Sequence, residues 1–366
     1  MHILHVVGAR PNFMKAAPVL RAITNHGPVR QTLIHTGQHY DSSMSEVFFQ
    51  QLGMPEPNQN LGVGSGTHAQ QTAAIMQALE SVLYEYRPTL VVVYGDVNST
   101  LAAALVCSKL LIPVAHVEAG LRSRDRTMPE EINRVVTDRL SDLLFTPSED
   151  ADENLKQEGI DRSKIHLVGN VMIDSLMRLL PVAEQRSPQD VTSPYVLVTL
   201  HRPSNVDDLP WLQELLTTLS EISSQVQIVF PVHPRTRLAL DQIRFTSPAH
   251  SRLRLVDPLS YLEFIGLERH AVAVITDSGG IQEETTFLGV PCVTVRENTE
   301  RPITVSLGTN QLVGHDTGKL SSAIRTILRE GFEGNSRKDI RASRIPLWDG
   351  HAAERIARIL VRCSTG

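Results

Sequence analysis

The sequence predicts an α/β protein made of two doubly wound domains, each a parallel sheet covered by helices on both faces. Three observations carry this expectation. Short continuous runs of β-branched and other apolar residues alternate with longer helical patterns, as strands buried on both faces require. The alternation restarts after a polar, proline-bearing segment at 181–194, PVAEQRSPQDVTSP, which has the composition of an exposed connection. A length of 366 residues is enough for two domains. The expected domains are residues 1–170 and 171–366 with a cleft between them, and the last helix, at about 349–363, is a candidate to pack back on the first domain.

In chain order, the first half offers strands at HILHVV (2–7), TLIHT (32–36), LVVVY (90–94), VAHVE (114–118), DLLFT (142–146) and IHLVG (165–169). The clearest helical patterns between them are HAQQTAAIMQALESVLYEYR (68–87), STLAAALVCSKL (99–110) and PEEINRVVTDRL (129–140). The second half offers strands at YVLVTL (195–200), VQIVFPV (226–232), LRLV (253–256), AVAVI (271–275) and PCVTV (291–295). DGHAAERIARILVRC (349–363) reads as one amphipathic helix.

Composition narrows the function classes. Hydrophobic residues at 41% and charged residues at 20% fit a folded chain rather than a disordered one. A net charge of −5, with no dense Lys/Arg run, gives no reason to expect a nucleic-acid partner. MHILHVVGARPNF reads as a first strand rather than a signal peptide, and no apolar stretch reaches the roughly 18–20 residues of a membrane span. Cys107, Cys292 and Cys363 are widely spaced and odd in number, which implies neither a disulfide framework nor a metal motif and points to the cytoplasm. LGVGSG (61–66) is not GxGxxG, no P-loop occurs, and the 14 histidines form no HExxH, so no cofactor and no metal is expected.

In open parallel sheets, ligands collect beyond the carboxyl ends of the strands. The residues that follow the expected strands are Gly8-Ala9-Arg10-Pro11, Gly37-Gln38-His39, Gly95-Asp96 and Glu118-Ala119-Gly120 in the first half. In the second half they are His201-Arg202-Pro203, His233-Pro234, Asp257-Pro258, Asp277-Ser278-Gly279-Gly280 and the stretch Arg296 to Arg301. Ser278-Gly279-Gly280 has the strand–glycine–helix context of a phosphate cradle, with an ordinary tight turn as the alternative. Arg10, Lys15 and Arg301 are candidate cations, and together they suggest a diphosphate held between the domains. Glu284 lies one to two helical turns beyond Ser278, where a carboxylate accepts from ribose hydroxyls, whereas Glu283 reads as a favourable charge at a helix start.

Asp96, Glu118 and Glu131 are candidate acid–base groups, because carboxylates gathered near an apolar sheet end have shifted proton affinities. Each has a structural alternative. Asp96 fits a helix cap, Glu118 fits a pair with Arg122 or Arg124, and Glu131 fits a helix first turn. His201 and His233 follow strands and are candidates to protonate a leaving phosphate, or to serve only as binding or turn residues.

These residues stand in stretches that resemble the non-hydrolysing UDP-N-acetylglucosamine 2-epimerases almost end to end: GARPNFMKAAPV (8–19), TGQHYDSSMSEVFF (36–49), GDVNSTLAAAL (95–105), HVEAGLRS (116–123), PEEINR (129–134), LHRPSNV (200–206), PVHPRT (231–236), DSGGIQEE (277–284) and TERPITV (299–305). The resemblance implies a fold of paired Rossmann-like domains similar to the GT-B nucleotide-sugar glycosyltransferases, a homodimer, and interconversion of UDP-GlcNAc with UDP-ManNAc. It implies nucleotide and phosphate contacts for Arg10, Ser278, Glu284 and Arg301. It implies catalytic positions for Asp96, Glu118, Glu131 and His201, and further active-site positions for Lys15 and Arg134. In the family, UDP leaves to give 2-acetamidoglucal and adds back with a proton delivered to the opposite face of C2. The alternatives that stay open are a 2-epimerase of a modified UDP-sugar such as UDP-2,3-diacetamido-2,3-dideoxyglucuronic acid, a hydrolysing relative, a glycosyltransferase of the same fold, and a non-catalytic nucleotide-sugar sensor. Two departures stand out. HRPSN (201–205) replaces the family's common HRREN, and Gln70 stands where substrate-activated members carry an arginine before a Gln-Thr pair.

Overall fold

The computed structural model describes residues 1–38, 49, 51–186, 191, 194–248, 251–332 and 345–362. His39, most of the 36–49 stretch, residues 187–190, 192 and 193 of the expected connection, and Cys363 lie outside the described residues. The chain divides into two compact units, one formed by Met1–Ser175 with Pro346–Gly366 and the other by Leu176–Ile345. The division falls inside the helix Val171–Ala183, upstream of the polar segment at 181–194.

The first unit is built on a parallel sheet of β1 (His2–Val7), β2 (Arg30–His35), β3 (Gln59–Asn60), β4 (Leu90–Tyr94), β5 (Val114–Val117), β6 (Leu143–Thr146) and β7 (Ile165–Leu167). Its order is β3-β2-β1-β4-β5-β6-β7. The second is built on β8 (Tyr195–Thr199), β9 (Gln227–Pro231), β10 (Leu253–Val256), β11 (Ala273–Thr276), β12 (Cys292–Thr294) and β13 (Asn310–Leu312), also parallel, in the order β10-β9-β8-β11-β12-β13. Both sheets are therefore doubly wound α/β. The winding reverses between β1 and β4 in one and between β8 and β11 in the other, and such reversals open a crevice at the strand carboxyl ends.

The central expected strands form because their apolar runs are buried on both faces, whereas the edge strands β7 and β10 are only half-buried. Every residue of β1 and β4 is buried. Even the histidine inside β1 fits: His5 Nδ1 meets the Tyr94 hydroxyl at 2.7 Å, and burial lowers its pKa to about 3, so the ring is neutral. The helix Asn98–Lys109 lies close to the sheet through the fully buried Ala102, Ala103 and Ala104. Two edge strands, β3 and β13, have no apolar pattern (QN and NQL) and were not expected from sequence.

The closing helix, Ala352–Arg362, belongs to the first unit and packs along the helix Arg10–His26, burying Ala352, Ala353, Ile356, Ala357 and Leu360. Trp348 Nε1 donates to the Pro147 carbonyl at 2.9 Å, and the Asp174 carboxylate accepts from the N–H groups of Ala352 and Ala353. No helix among the described residues is long and apolar enough to cross a membrane.

Candidate functional site

In the first unit the β1/β4 reversal is tied together by Asn12. Its Oδ1 accepts from the N–H groups of Gly8 and Ala9 at 3.0 and 3.3 Å, and its Nδ2 donates to the Tyr94 carbonyl at 2.7 Å. The side chain of Lys15, from the same helix, passes so close to Gly95 that a Cβ there would stand 2.6 Å from Nζ; Gly95 also has φ +60°. Lys15 Nζ then meets Glu118 Oε1 at 2.7 Å, with both side chains buried. Glu118 lies just past the end of β5 at φ 73°, a left-handed conformation that a non-glycine residue adopts at a cost of about 1 kcal/mol or more.

Arg134 joins the other two acids. Its Nη2 lies 2.7 Å from Asp96 Oδ2 and its Nη1 2.6 Å from Glu131 Oε2. Glu131 also accepts from the Ser123 N–H and hydroxyl, both at 2.9 Å, and from the Arg124 N–H at 2.8 Å. Burial works to raise the Glu131 pKa, but the N–H donors and the Arg134 charge outweigh it and hold the group below the usual glutamate value. Asp96 also lines a pocket of about 320 Å³ with Gln38, His68, Gln71, Asn98 and Asn133.

A buried network behind these groups fixes their loops. His116 Nδ1 lies 2.6 Å from Asp138 Oδ1, and its Nε2 lies 2.8 Å from the Gly95 carbonyl. Asp138 Oδ2 accepts from the Gly120 N–H at 3.0 Å and from Arg122 Nη1 at 2.7 Å. The loops that carry Asp96 and Glu118 are thereby anchored to one helix, Pro129–Leu140, which also carries Glu131 and Arg134.

In the second unit the hub is Asp277, directly after β11 and fully buried. It accepts from the His201 N–H at 3.0 Å, the Arg202 N–H at 2.9 Å and Asn205 Nδ2 at 3.1 Å. His201 Nδ1 also lies 2.9 Å from its Oδ1. Burial opposes the charge on Asp277, but the His201 contact and these donors hold its pKa below the usual aspartate value. With Nδ1–H committed to the carboxylate, His201 Nε2 is the nitrogen left to accept or deliver a proton, and the side chain is 40% exposed. His233 caps the helix Pro234–Gln242, its Nδ1 accepting from the Arg235 N–H at 3.2 Å, and its ring centroid lies 5.7 Å from that of His201.

Ser278 occupies the N-cap position of the helix Gly279–Leu288 without a side-chain cap. The first N–H groups of any helix lack intrahelical acceptors, so this end offers donors to an anion. A Cβ at Gly279 would lie 2.4 Å from Glu300 Oε1 and 2.5 Å from Arg301 Nη1, whereas one at Gly280 would meet nothing within 4 Å. Arg301 pairs with Glu283 through Nε at 2.7 Å and with Glu300 through Nη1 at 2.6 Å. Glu284 is buried, and its Oε1 accepts from the Tyr261 hydroxyl at 2.5 Å. Arg10, exposed, opens the helix Arg10–His26.

Three local alternatives drawn from sequence do not hold. Glu118 pairs with Lys15 rather than with Arg122, which binds Asp138 and Glu158, or Arg124, whose Nη2 goes to Asn154. Asp96 does not cap the next helix; the N-cap residue is Val97, and Asp96 pairs with Arg134. Glu283 is more than a charge at a helix start, because it is buried against Arg301. Sequence reasoning gave no role to His116, Asp138, Tyr261, Glu300 or Asp277. Asp277, directly after a strand, and Glu300, within the stretch that follows the strand at 291–295, had a usable signal.

Residues 21–361 match the protein family described as UDP-N-acetylglucosamine 2-epimerase. The UDP-N-acetylglucosamine 2-epimerase of Methanocaldococcus jannaschii is 42% identical over 371 residues, covering 98% of this chain and 99% of its own. The UDP-2,3-diacetamido-2,3-dideoxy-D-glucuronate 2-epimerase of Pseudomonas aeruginosa is 42% identical over 367 residues, covering 99% of this chain and 100% of its own. The crystal structure of the M. jannaschii UDP-GlcNAc 2-epimerase in complex with UDP-GlcNAc and UDP superposes with a TM-score of 0.88 at 42% identity, covering 99% of this chain and 100% of that one.

Proposed function

The chain belongs to the UDP-N-acetylglucosamine 2-epimerase family, and from that premise we propose that it interconverts UDP-GlcNAc and UDP-ManNAc by inverting C2. The carrying observation is the Asp96–Arg134–Glu131 cluster, in which one guanidinium pairs with two carboxylates beside a strand-end crevice. The C2 proton has no neighbouring carbonyl to make it acidic, so elimination is the economical route. A carboxylate of the set Asp96, Glu118 and Glu131 takes the C2 proton, the C1–O bond breaks towards UDP, and a C1=C2 double bond forms in 2-acetamidoglucal. A proton then returns to the opposite face of C2 as a β-phosphate oxygen of UDP re-forms the bond to C1.

The remaining residues serve the nucleotide. The N–H groups at Ser278, Gly279 and Gly280, with Arg301, hold the diphosphate between bond breaking and bond making, and Arg10 is a further candidate nucleotide contact. Glu284 accepts from the ribose hydroxyls. His201, oriented by Asp277, donates to the leaving phosphate, and His233 binds beside it. Lys15 pairs with Glu118 and fixes it in place, and Arg134 does the same for Asp96 while its charge helps hold the Glu131 pKa low. No step calls for a redox cofactor. A cytoplasmic homodimer belongs to the same reading, with sedimentation velocity as the check on assembly.

A second reading has its own support. The P. aeruginosa relative matches this chain as closely as the archaeal one does, so UDP-2,3-diacetamido-2,3-dideoxy-D-glucuronate is the competing substrate. A proton NMR time course in D₂O with each UDP-sugar tests both. Growth of UDP-ManNAc with loss of the C2–H signal supports the first reading. Exchange confined to the diacetamido sugar transfers the assignment to the second. Free ManNAc without UDP-ManNAc would mean hydrolysis.

A further inference from the structure

Behind Glu284 lies a second carboxyl that the proposed reaction does not use. Glu268, near the end of the helix Tyr261–His270, is completely buried, and neither of its oxygens accepts a hydrogen bond from an N–H or O–H donor of the described residues. Its carboxyl faces that of Glu284. Glu284 Oε1 is taken by the Tyr261 hydroxyl at 2.5 Å, and Oε2 has no other donor among the described residues. Of the other groups in this pocket, Glu283 faces Glu284 but is paired with Arg301 at 2.7 Å. Cys292 faces Glu268, its thiol pushed up to about 12 by burial, so it carries no charge.

Two ionised carboxylates cannot share a site from which water is excluded, because desolvation and mutual repulsion both act against the second charge. One proton between them removes the repulsion and supplies Glu284 Oε2 with a donor. We propose that Glu268 is a positioning residue that remains a neutral carboxylic acid and donates its hydrogen bond to Glu284, holding Glu284 as an ionised acceptor for the ribose hydroxyls of the bound nucleotide. This rests on the nucleotide role given to Glu284 above.

The division of the proton has a physical reason. Burial drives both groups up, but Glu268 goes well above the carboxylate range, whereas the Tyr261 and Glu268 hydrogen bonds limit Glu284 to about 7. The donor role of Glu268 is present while it is protonated and is lost as pH rises through its raised pKa. Nucleotide affinity should therefore fall at alkaline pH as well as below about 7, where Glu284 takes up a proton.

The test uses the full chain and two variants, E268Q and E268A. Infrared difference spectra of wild type against E268Q, without nucleotide at neutral pH, should show the carbonyl stretch of a protonated acid. UDP affinity measured from about pH 6 to about pH 9 should be about tenfold weaker in E268A, the cost of a missing buried donor. In E268Q the amide replaces the acid donor and should restore most of that loss while removing the extra alkaline decline of wild type. Comparing the two proteins cancels titration of the nucleotide itself. An ionised-carboxylate band only, identical pH profiles for wild type and E268Q, or E268Q as weak as E268A would each overturn the proposal. Wild type that shows the acid band but binds no UDP would instead overturn the nucleotide role of Glu284, and the positioning role with it.

Discussion

Arg134 grips Asp96 through two nitrogens on one oxygen: Nε and Nη2 stand 2.9 and 2.7 Å from Oδ2. Its third nitrogen, Nη1, holds Glu131 at 2.6 Å. One nearly buried guanidinium thus carries two carboxylates of opposite origin, one from a strand end and one from a helix start. The pairing leaves neither carboxylate free to move far, and at Glu131 the Arg134 charge helps hold the pKa below the usual glutamate value.

Asp96→Asn and Glu131→Gln each remove one acid–base charge while keeping shape. Turnover should fall by about 10²–10⁴-fold in either variant, with UDP still bound. The NMR rate and a UDP titration check this together. A near-normal rate in one variant removes that residue from the reaction.

Gly280→Ala separates a phosphate cradle from an ordinary turn. A Cβ at this position meets no protein atom within 4 Å, and alanine favours a helix over glycine by up to about 1 kcal/mol. The thermal midpoint should hold or rise slightly, while UDP affinity drops by about tenfold as the methyl enters the space of the phosphate. Unchanged affinity would reduce Ser278-Gly279-Gly280 to a turn.

Asp174 gives the closing helix a pH signature. Burial raises its pKa from the ordinary aspartate value of 3.8 to about 6 in the folded protein, so the folded state binds more protons between those values. Its contribution therefore opposes folding above about pH 6, by at most about 3 kcal/mol, and the penalty is relieved as pH falls towards 4. Asp174→Asn keeps an acceptor for Ala352 and Ala353 and should flatten the dependence of unfolding free energy on pH across that window. An unchanged slope in denaturant titrations would contradict this.

Gln70 bears on cooperativity. It closes the capping box of the helix His68–Tyr86, its Oε1 accepting from the Thr67 N–H at 3.3 Å. An uncharged side chain occupied in this way should not recruit a second nucleotide-sugar, so initial rates should follow a hyperbola in UDP-GlcNAc. A strongly sigmoidal curve would count against this.

The central strands were legible because each is a mostly apolar run, and a run of that kind can be satisfied only by burial on both faces. The short edge strands β3 and β13 were not, since an edge needs no apolar pattern. Several candidate site residues, among them Asp96, Glu118, His201 and Ser278, were legible as strand followers, because a parallel sheet sends all its carboxyl ends to one side. Their partners were not. Lys15 and Glu118 are 103 residues apart in sequence, and the first prospect for Glu118, a nearby arginine, was the wrong one.

The sequence by itself determined the doubly wound class, the set of acids, histidines and glycines at the strand ends, and the family, since periodicity and short motifs are local properties of the chain. Tertiary structure alone decided which charges meet. Strand order sets β8 against β11, so Asp277 reaches the loop of His201 across 76 residues, and helix packing buries Glu268 against Glu284. Charge pairing and proton sharing depend on distance and on exclusion of solvent, and neither is written in the order of residues along the chain.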